Sequence, residues 1–218
     1  MFRASLLQCP FMKILIAILV LLVLLAGIGV WIRHDFLSTL GEHAERIEQA
    51  PAARVEMSDD IPPLVEAYLE RVGLENGASY SHSYFEQTGQ MKLSPDGDWI
   101  SFTAEQWMAV ERSAFLWQPT MEMPVGSIVG TDRLDGQAQL EMRIFGIVPV
   151  ARDTSDGLIE GELARYLAEI PWNPASLVGN EHLTLEQVDA RHVEVTASVH
   201  DKSSSITLEF DEAGDIAG

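Results

Sequence analysis

The chain has 218 residues, 47% of them hydrophobic, with 10 Pro and 16 Gly, enough for one globular core plus extras and too apolar for disorder. Its formal charge is −19, and three of the 14 basic residues but only one of the 33 acidic ones fall in the first 35 positions, so the remainder is more acidic still. That charge argues against nucleic-acid binding, which draws on clustered Lys and Arg, and the single Cys9 excludes an intrachain disulfide, a CxxC pair and a Cys-rich zinc site.

From Ile14 to Ile32 the sequence carries no charge, and as a helix at 1.5 Å per residue it spans roughly 28 Å, one bilayer crossing. A cleaved signal has a shorter apolar region and a small-residue cleavage site, so the run reads as an uncleaved signal-anchor. Cys9 is not a lipid-attachment site, because Gln8 stands where a small residue is wanted and the apolar run follows it. Met12 is a second plausible start. Arg3 and Lys13 precede the span while Arg33 and Arg46 follow it, so Lys/Arg counting nearly ties. The acidic C-terminal domain favours export, which places residues 1–13 in the cytoplasm, 14–32 in the membrane and the rest outside.

Residues 33–60 read as a weakly amphipathic, mostly solvated helix over 36–50, with Phe36, Leu40 and Ile47 apolar, and then a linker at 51–60 punctuated by Pro51 and SDDIPP. The extracytoplasmic domain is expected over 61–218. Pro62 and Pro63 open a helix whose apolar face is Leu64, Val65, Tyr68, Leu69 and Val72, and Gly73 stops it. Between 78 and 152 the period falls to two. SYFEQTGQMKL and WISFTAEQWMAV flank the tight-turn pair Asp96-Gly97, and further strands broken by Pro119, Pro124 and Asp135-Gly136 predict a meander of about five. Ser155 or Asp156 caps a helix through Ile170 with a stripe of Leu158, Ile159, Leu163, Tyr166, Leu167 and Ile170. Two last strands follow, around Val193 to Val199 and Ile206 to Phe210. Strands, a helix and strands again define an α+β domain, an antiparallel sheet with helices on one face.

Few constellations carry chemistry. The six histidines form no HExxH or HxH, and His192 and His200, on one strand face, lie about 26 Å apart at ~3.3 Å per residue. No GxSxG, SxxK, GxGxxG or GxxxxGK occurs, and Asp96, Gly97 and Asp98 fall short of a calcium loop. No metal, cofactor or catalytic residue is expected. The strongest pattern is GELARYLAEIPWNP at 161–174, where Glu162, Arg165, Tyr166 and Glu169 recur at spacings of three and four. Both carboxylates can then reach Arg165 along one side of a helix. Read blandly, this is a set of solvated surface pairs worth a few tenths of a kcal/mol each, with Trp172 a core plug.

That segment, with GQMKLSPDGDWISFTAEQW at 89–107 and AFLWQPTM at 114–121, resembles a bacterial family of unknown function with a GELxRYLAExxWxP signature, over roughly residues 60–215. The resemblance implies that Glu162, Arg165, Glu169, Trp172, Pro174, Gln106, Phe115 and Trp117 are characteristic positions. It also implies a curved antiparallel half-barrel, similar to the carriers that move lipoproteins or lipids across the bacterial envelope, a likeness of fold alone. Such proteins continue past the point where this chain stops, so the strand ending at Phe210 is expected to lack its partner and to leave an open edge for self-association.

The resulting expectation is a non-enzymatic, single-pass protein of the bacterial inner membrane. Its extracytoplasmic domain holds a hydrophobic ligand, a lipid or acyl chain, against Phe102, Trp107, Phe115, Trp117, Met121, Met123 and Phe145. The expected binding residues are Glu162, Arg165, Tyr166, Glu169, Trp172, Gln106, Phe115 and Trp117. The alternatives are an enzyme using Glu162, Arg165 and Glu169, and a scaffold that docks a partner.

Overall fold

A computed structural model describes residues 10–58 and 60–218. The expectations for Cys9 and the first nine residues lie outside that range.

One helix, α1, runs unbroken from Pro10 to Glu48, and it is long and apolar enough to cross a membrane. Its second half is not solvated as the sequence suggested. Phe36, Leu40, Ala44 and Ile47 are buried, because their three-to-four spacing gives α1 an apolar stripe that packs on the domain. Nor are residues 51–60 a free linker. The short strand β1 (Ala53–Arg54) pairs with β2 (Ser79–Tyr80), and Val55 is fully buried with Val110 and Ala175. Helix α2 (Pro63–Arg71) starts at its proline pair and ends before Gly73, which takes the positive φ of 78° that favours glycine. It buries Val65, Tyr68 and Leu69, while Val72 stays exposed.

The period-two region forms an open six-stranded antiparallel meander, one strand more than expected: β3 (His82–Met91), β4 (Ile100–Ala109), β5 (Ala114–Glu122), β6 (Ser127–Asp135), β7 (Ala138–Ile144) and β8 (Val148–Asp153). The extra strand comes from the run QAQLEMRIFGIVPVA, which a turn at Phe145 (φ 55°) and Gly146 (φ 70°) splits in two. Helix α3 (Asp156–Ala168) follows, then a 3-10 turn (Ile170–Trp172) and the short α4 (Ser176–Gly179). The chain closes with a three-stranded sheet of β9 (Leu183–Gln187), β10 (His192–Val199) and β11 (Lys202–Glu209), in the order β11-β10-β9. The strand β9, additional to the two expected at the end of the chain, places Leu183 and Leu185 against the main core.

Two layers of burial result. Tyr166, Leu163 and Leu167 of α3 join Met108, Phe115 and Leu134 of the larger sheet and Val193, Val195 and Leu208 of the smaller in one core, so α3 is covered from both sides. We call this the inner face of the six-stranded sheet. On its back, Ala44 and Ile47 of α1 pack with Trp107, Ala109, Ala114 and Leu116, while Phe36 and Leu40 pack with Val129. Helices therefore meet both faces, not one. Glu48 accepts a 2.8 Å hydrogen bond from Trp107 Nε1, and the Arg143 guanidinium lies 4.2 Å from the Phe36 ring centroid.

The strand ending near Phe210 finds a short partner after all. Phe210 bridges Ile216, and Glu209 N donates to Gly218 O at 2.7 Å. Asp215 in that return accepts from Arg71 of α2 at 2.6 and 3.0 Å.

Candidate functional site

Register places the site. Side chains alternate across a strand, so the inner face is a series of cross-sheet rows. One row is Phe85, Gln106, Trp117, Asp132 and Leu140, paired strand to strand from β3 to β7. Against it α3 presents Glu162, Arg165 and Glu169, which its 3.6-residue period holds on one side.

The polar groups of these elements form a single chain of hydrogen bonds. Trp117 Nε1 donates to Gln87 Oε1 at 2.9 Å, Gln87 Nε2 to Gln106 Oε1 at 2.8 Å, and Gln106 Nε2 to Glu169 Oε2 at 2.5 Å. Arg165 Nε donates to the other Glu169 oxygen at 3.0 Å, and Arg165 Nη1 to Asp132 Oδ2 at 2.5 Å. The Arg165 guanidinium also sits 4.9 Å from the Phe115 ring and 5.0 Å from that of Trp117. Arg165 thus joins two carboxylates and two aromatic faces. In this setting a planar, always-charged guanidinium cannot be replaced by a point charge.

Glu162 does not reach Arg165 as a ligand, contrary to the symmetric ladder expected from spacing. It faces Asp132, and both residues are buried, at 6% and 7% exposure. Asp132 Oδ1 and Glu162 Oε2 have no hydrogen-bond partner among the described residues. Burial and then the Asp132 charge push the Glu162 carboxyl up to about 8. Asp132 is raised too, by burial first, with the Arg165 charge working against it. In its neutral form Glu162 is a donor rather than a second charge, which suits a buried neighbour of Asp132, since adjacent like charges are disfavoured out of water. An acid kept neutral near pH 7 beside a carboxylate and an arginine is able to give or take a proton.

Of the eight expected binding residues, Glu162, Arg165, Glu169, Gln106, Phe115 and Trp117 come together here. Tyr166 does not. It stands about 100° round the helix from Arg165, is fully buried, and its hydroxyl accepts from Asn180 Nδ2 at 3.3 Å. Trp172 is neither in the cluster nor a core plug: it is half-exposed, with its ring 5.9 Å from that of Phe85. The residues after it are structural. Asn173 Nδ2 donates to Ala109 O at 2.8 Å and its Oδ1 accepts from Ser83 Oγ at 2.8 Å, which fastens the α3 exit to β3 and β4. Gln87 and Asp132 were missed. Their signal was a polar side chain at an inward position of an alternating strand, Asp132 sharing parity with Ile128 and Leu134.

Two rows further along, the inner face is apolar. Phe102, Met121, Ile128, Ile144 and Val148 pair in sequence across β4 to β8. Small residues separate the rows. A Cβ on Gly130 would meet Met142 Sδ at 2.1 Å, so Met142 lies over that position, and the Phe102 ring crosses Gly89 in the same way. Met121 and Ile128 are buried, whereas Phe102 and Met142 are half-buried and Ile144 and Val148 exposed. The back face differs at this level: Glu86, Thr88, Thr103, Glu105, Gln118 and Thr120 line an open trough of about 360 Å³.

Fold and site together define an α+β domain behind one helix long enough to cross a membrane, with a buried polar hub and an apolar row on the same inner face. Residues 51–218 match the family of unknown function DUF6544, and the chain belongs to that family. No curated protein and no solved structure matches it.

Proposed function

We propose that this chain is a single-pass protein of the bacterial inner membrane whose extracytoplasmic domain holds a hydrophobic ligand, a lipid or acyl chain, on the inner face of the six-stranded sheet. The observation that carries the reading is the apolar row beyond the reach of α3. In it Phe102 is half-buried and Ile144 and Val148 are exposed, either side of buried Met121 and Ile128, with half-buried Met142 beside them, and an apolar surface of this kind is what an aliphatic chain covers. The half-barrel curvature and the likeness to envelope carriers belong to this proposal. So does self-association through the edge of β11, which ends the order β11-β10-β9 and meets the return segment only at the Phe210–Ile216 bridge and the Glu209 pairing beside it.

In this reading the Arg165 hub forms the floor of the site. Its carboxylates are engaged with Arg165, Gln106 and each other, so an enzyme built on Glu162, Arg165 and Glu169 has less support. The test is native mass spectrometry of the full-length protein extracted in mild detergent, with lipid identification of any bound mass. Wild type is expected to carry a co-purified lipid, and Phe102→Ala, with an unchanged circular dichroism melt, to carry much less. A wild-type protein that flies free of ligand overturns the reading.

A further inference from the structure

In an antiparallel meander the connections alternate between the two ends of the sheet. The β3–β4, β5–β6 and β7–β8 turns therefore share one end, and the β4–β5 and β6–β7 turns share the other. The three turns at the first end carry apolar side chains that the fold leaves uncovered. Trp99 is 63% and Val125 81% exposed, and Leu93, Met123, Phe145 and Val148 are exposed as well. Between two of these turns, Leu93, Trp99, Ile100, Met123 and Pro124 line an open hollow of about 620 Å³. Large exposed apolar patches of this kind mark interaction surfaces.

The position of α1 says what covers them. Arg33 Nη1, just past the uncharged run, donates to Phe145 O at 2.5 Å in the β7–β8 turn. Gly29 lies inside the run, and a Cβ there would be 3.4 Å from Ile147 Cδ1. The β7–β8 turn is therefore level with a residue about 4.5 Å below Ile32 along the helix. If residues 14–32 cross a bilayer, that turn cannot stand clear of it.

We infer that the tips of the β3–β4, β5–β6 and β7–β8 hairpins dip into the headgroup and outer acyl region of the bilayer that α1 crosses. The inference rests on the reading of α1 as an anchor. Trp31 stands at the end of the apolar run and Trp99 is exposed on the β3–β4 tip, the residue type that settles at membrane interfaces, and Lys92, whose ammonium lies 5.5 Å from the Trp99 ring, can extend toward headgroups. Asp96, Asp98 and Glu122 share this end, so the contact is made by apolar burial and not by attraction to anionic lipid. The apolar row of the inner face opens at the same end, which gives a lipid ligand a path that avoids water.

The experiment uses the full chain in phosphatidylcholine proteoliposomes. In a Cys9→Ser background, single cysteines at Leu93, Val125 or Val148 are labelled with an environment-sensitive fluorophore and challenged with nitroxide-bearing lipid. Gln137 and Asp201 mark the far end, where His200 Nε2 meets Gly136 O at 2.9 Å, and Leu22 marks the anchor. The three tip labels are expected to emit to the blue of the far-end labels and to lose about twofold in fluorescence with the nitroxide lipid, as groups buried ~5–10 Å into the interface do. Tip labels that behave like Gln137 and Asp201 overturn the inference, and if Leu22 is then quenched the anchor reading survives alone. An unquenched Leu22 overturns both.

Discussion

Arg165→Ala lowers the urea midpoint of the full-length protein in detergent by the equivalent of about 3 kcal/mol, far more than Lys202→Ala. Arg165 is the cation that Asp132 and Glu169 share, and its removal leaves those two carboxylates and Glu162 clustered with none. Breaking a largely buried pair costs more than the pair contributes, because the remaining charge stays out of water. The lost stacking on Phe115 and Trp117 adds to the deficit. Lys202 opens β11, where it meets exposed Glu160 at 3.5 Å, a surface pair worth at most about 1 kcal/mol. In a thermal melt the Arg165 variant is expected to fall by roughly 6 to 12 °C. Equal midpoints for the two variants would return Glu162, Arg165 and Glu169 to a solvated helix face.

Glu162→Gln removes a pH dependence and stabilises the protein in alkali. An acid whose folded-state pKa is raised supports the fold while protonated. That contribution is whole below the ordinary glutamate value of 4.5 and is lost as pH rises through about 8. Wild type should therefore lose stability between about pH 5 and about pH 9 more steeply than Glu162→Gln, by a few kcal/mol in all. The amide stays neutral and still offers a donor to Asp132 Oδ1, with Arg165 and Glu169 unchanged beside it. Comparing slopes isolates this pair from the general repulsion of so acidic a chain. Parallel slopes for wild type and variant would mean that Glu162 is not held neutral beside Asp132.

The sequence shows much of this fold because several of its signals are local. Asp96-Gly97 and Asp135-Gly136 mark hairpins that form where they stand, Pro62-Pro63 opens α2, and the stripe from Ile159 to Ile170 enters the core as its period requires. What stays hidden depends on partners far away in sequence. Phe36, Leu40 and Ile47 look solvated until the back of β4, β5 and β6 is placed against them. Residues 53–55 look like a linker until β2 and Val110 supply ladder and core. The site divides in the same way. The spacing of three and four correctly joins Arg165 to Glu169, but which carboxylate completes the hub is set by sheet register, and that selects Asp132 of β6 over Glu162 of the same helix. Tyr166 and Trp172 adjoin the hub in sequence but lie outside it, Tyr166 fully buried in the core and Trp172 half-exposed against Phe85.

The central claim, that the inner face holds a lipid, is tested most directly by mapping where one lies. The full-length protein is placed in phosphatidylcholine vesicles containing a lipid with a diazirine on its acyl chain, irradiated, digested and sequenced by mass spectrometry. Adducts are expected on Phe102, Ile144 and Val148, the accessible members of the apolar row, and on Met142 between that row and the Arg165 hub. Labelling confined to residues 14–32 and the hairpin tips would show a domain that touches the bilayer and holds nothing from it.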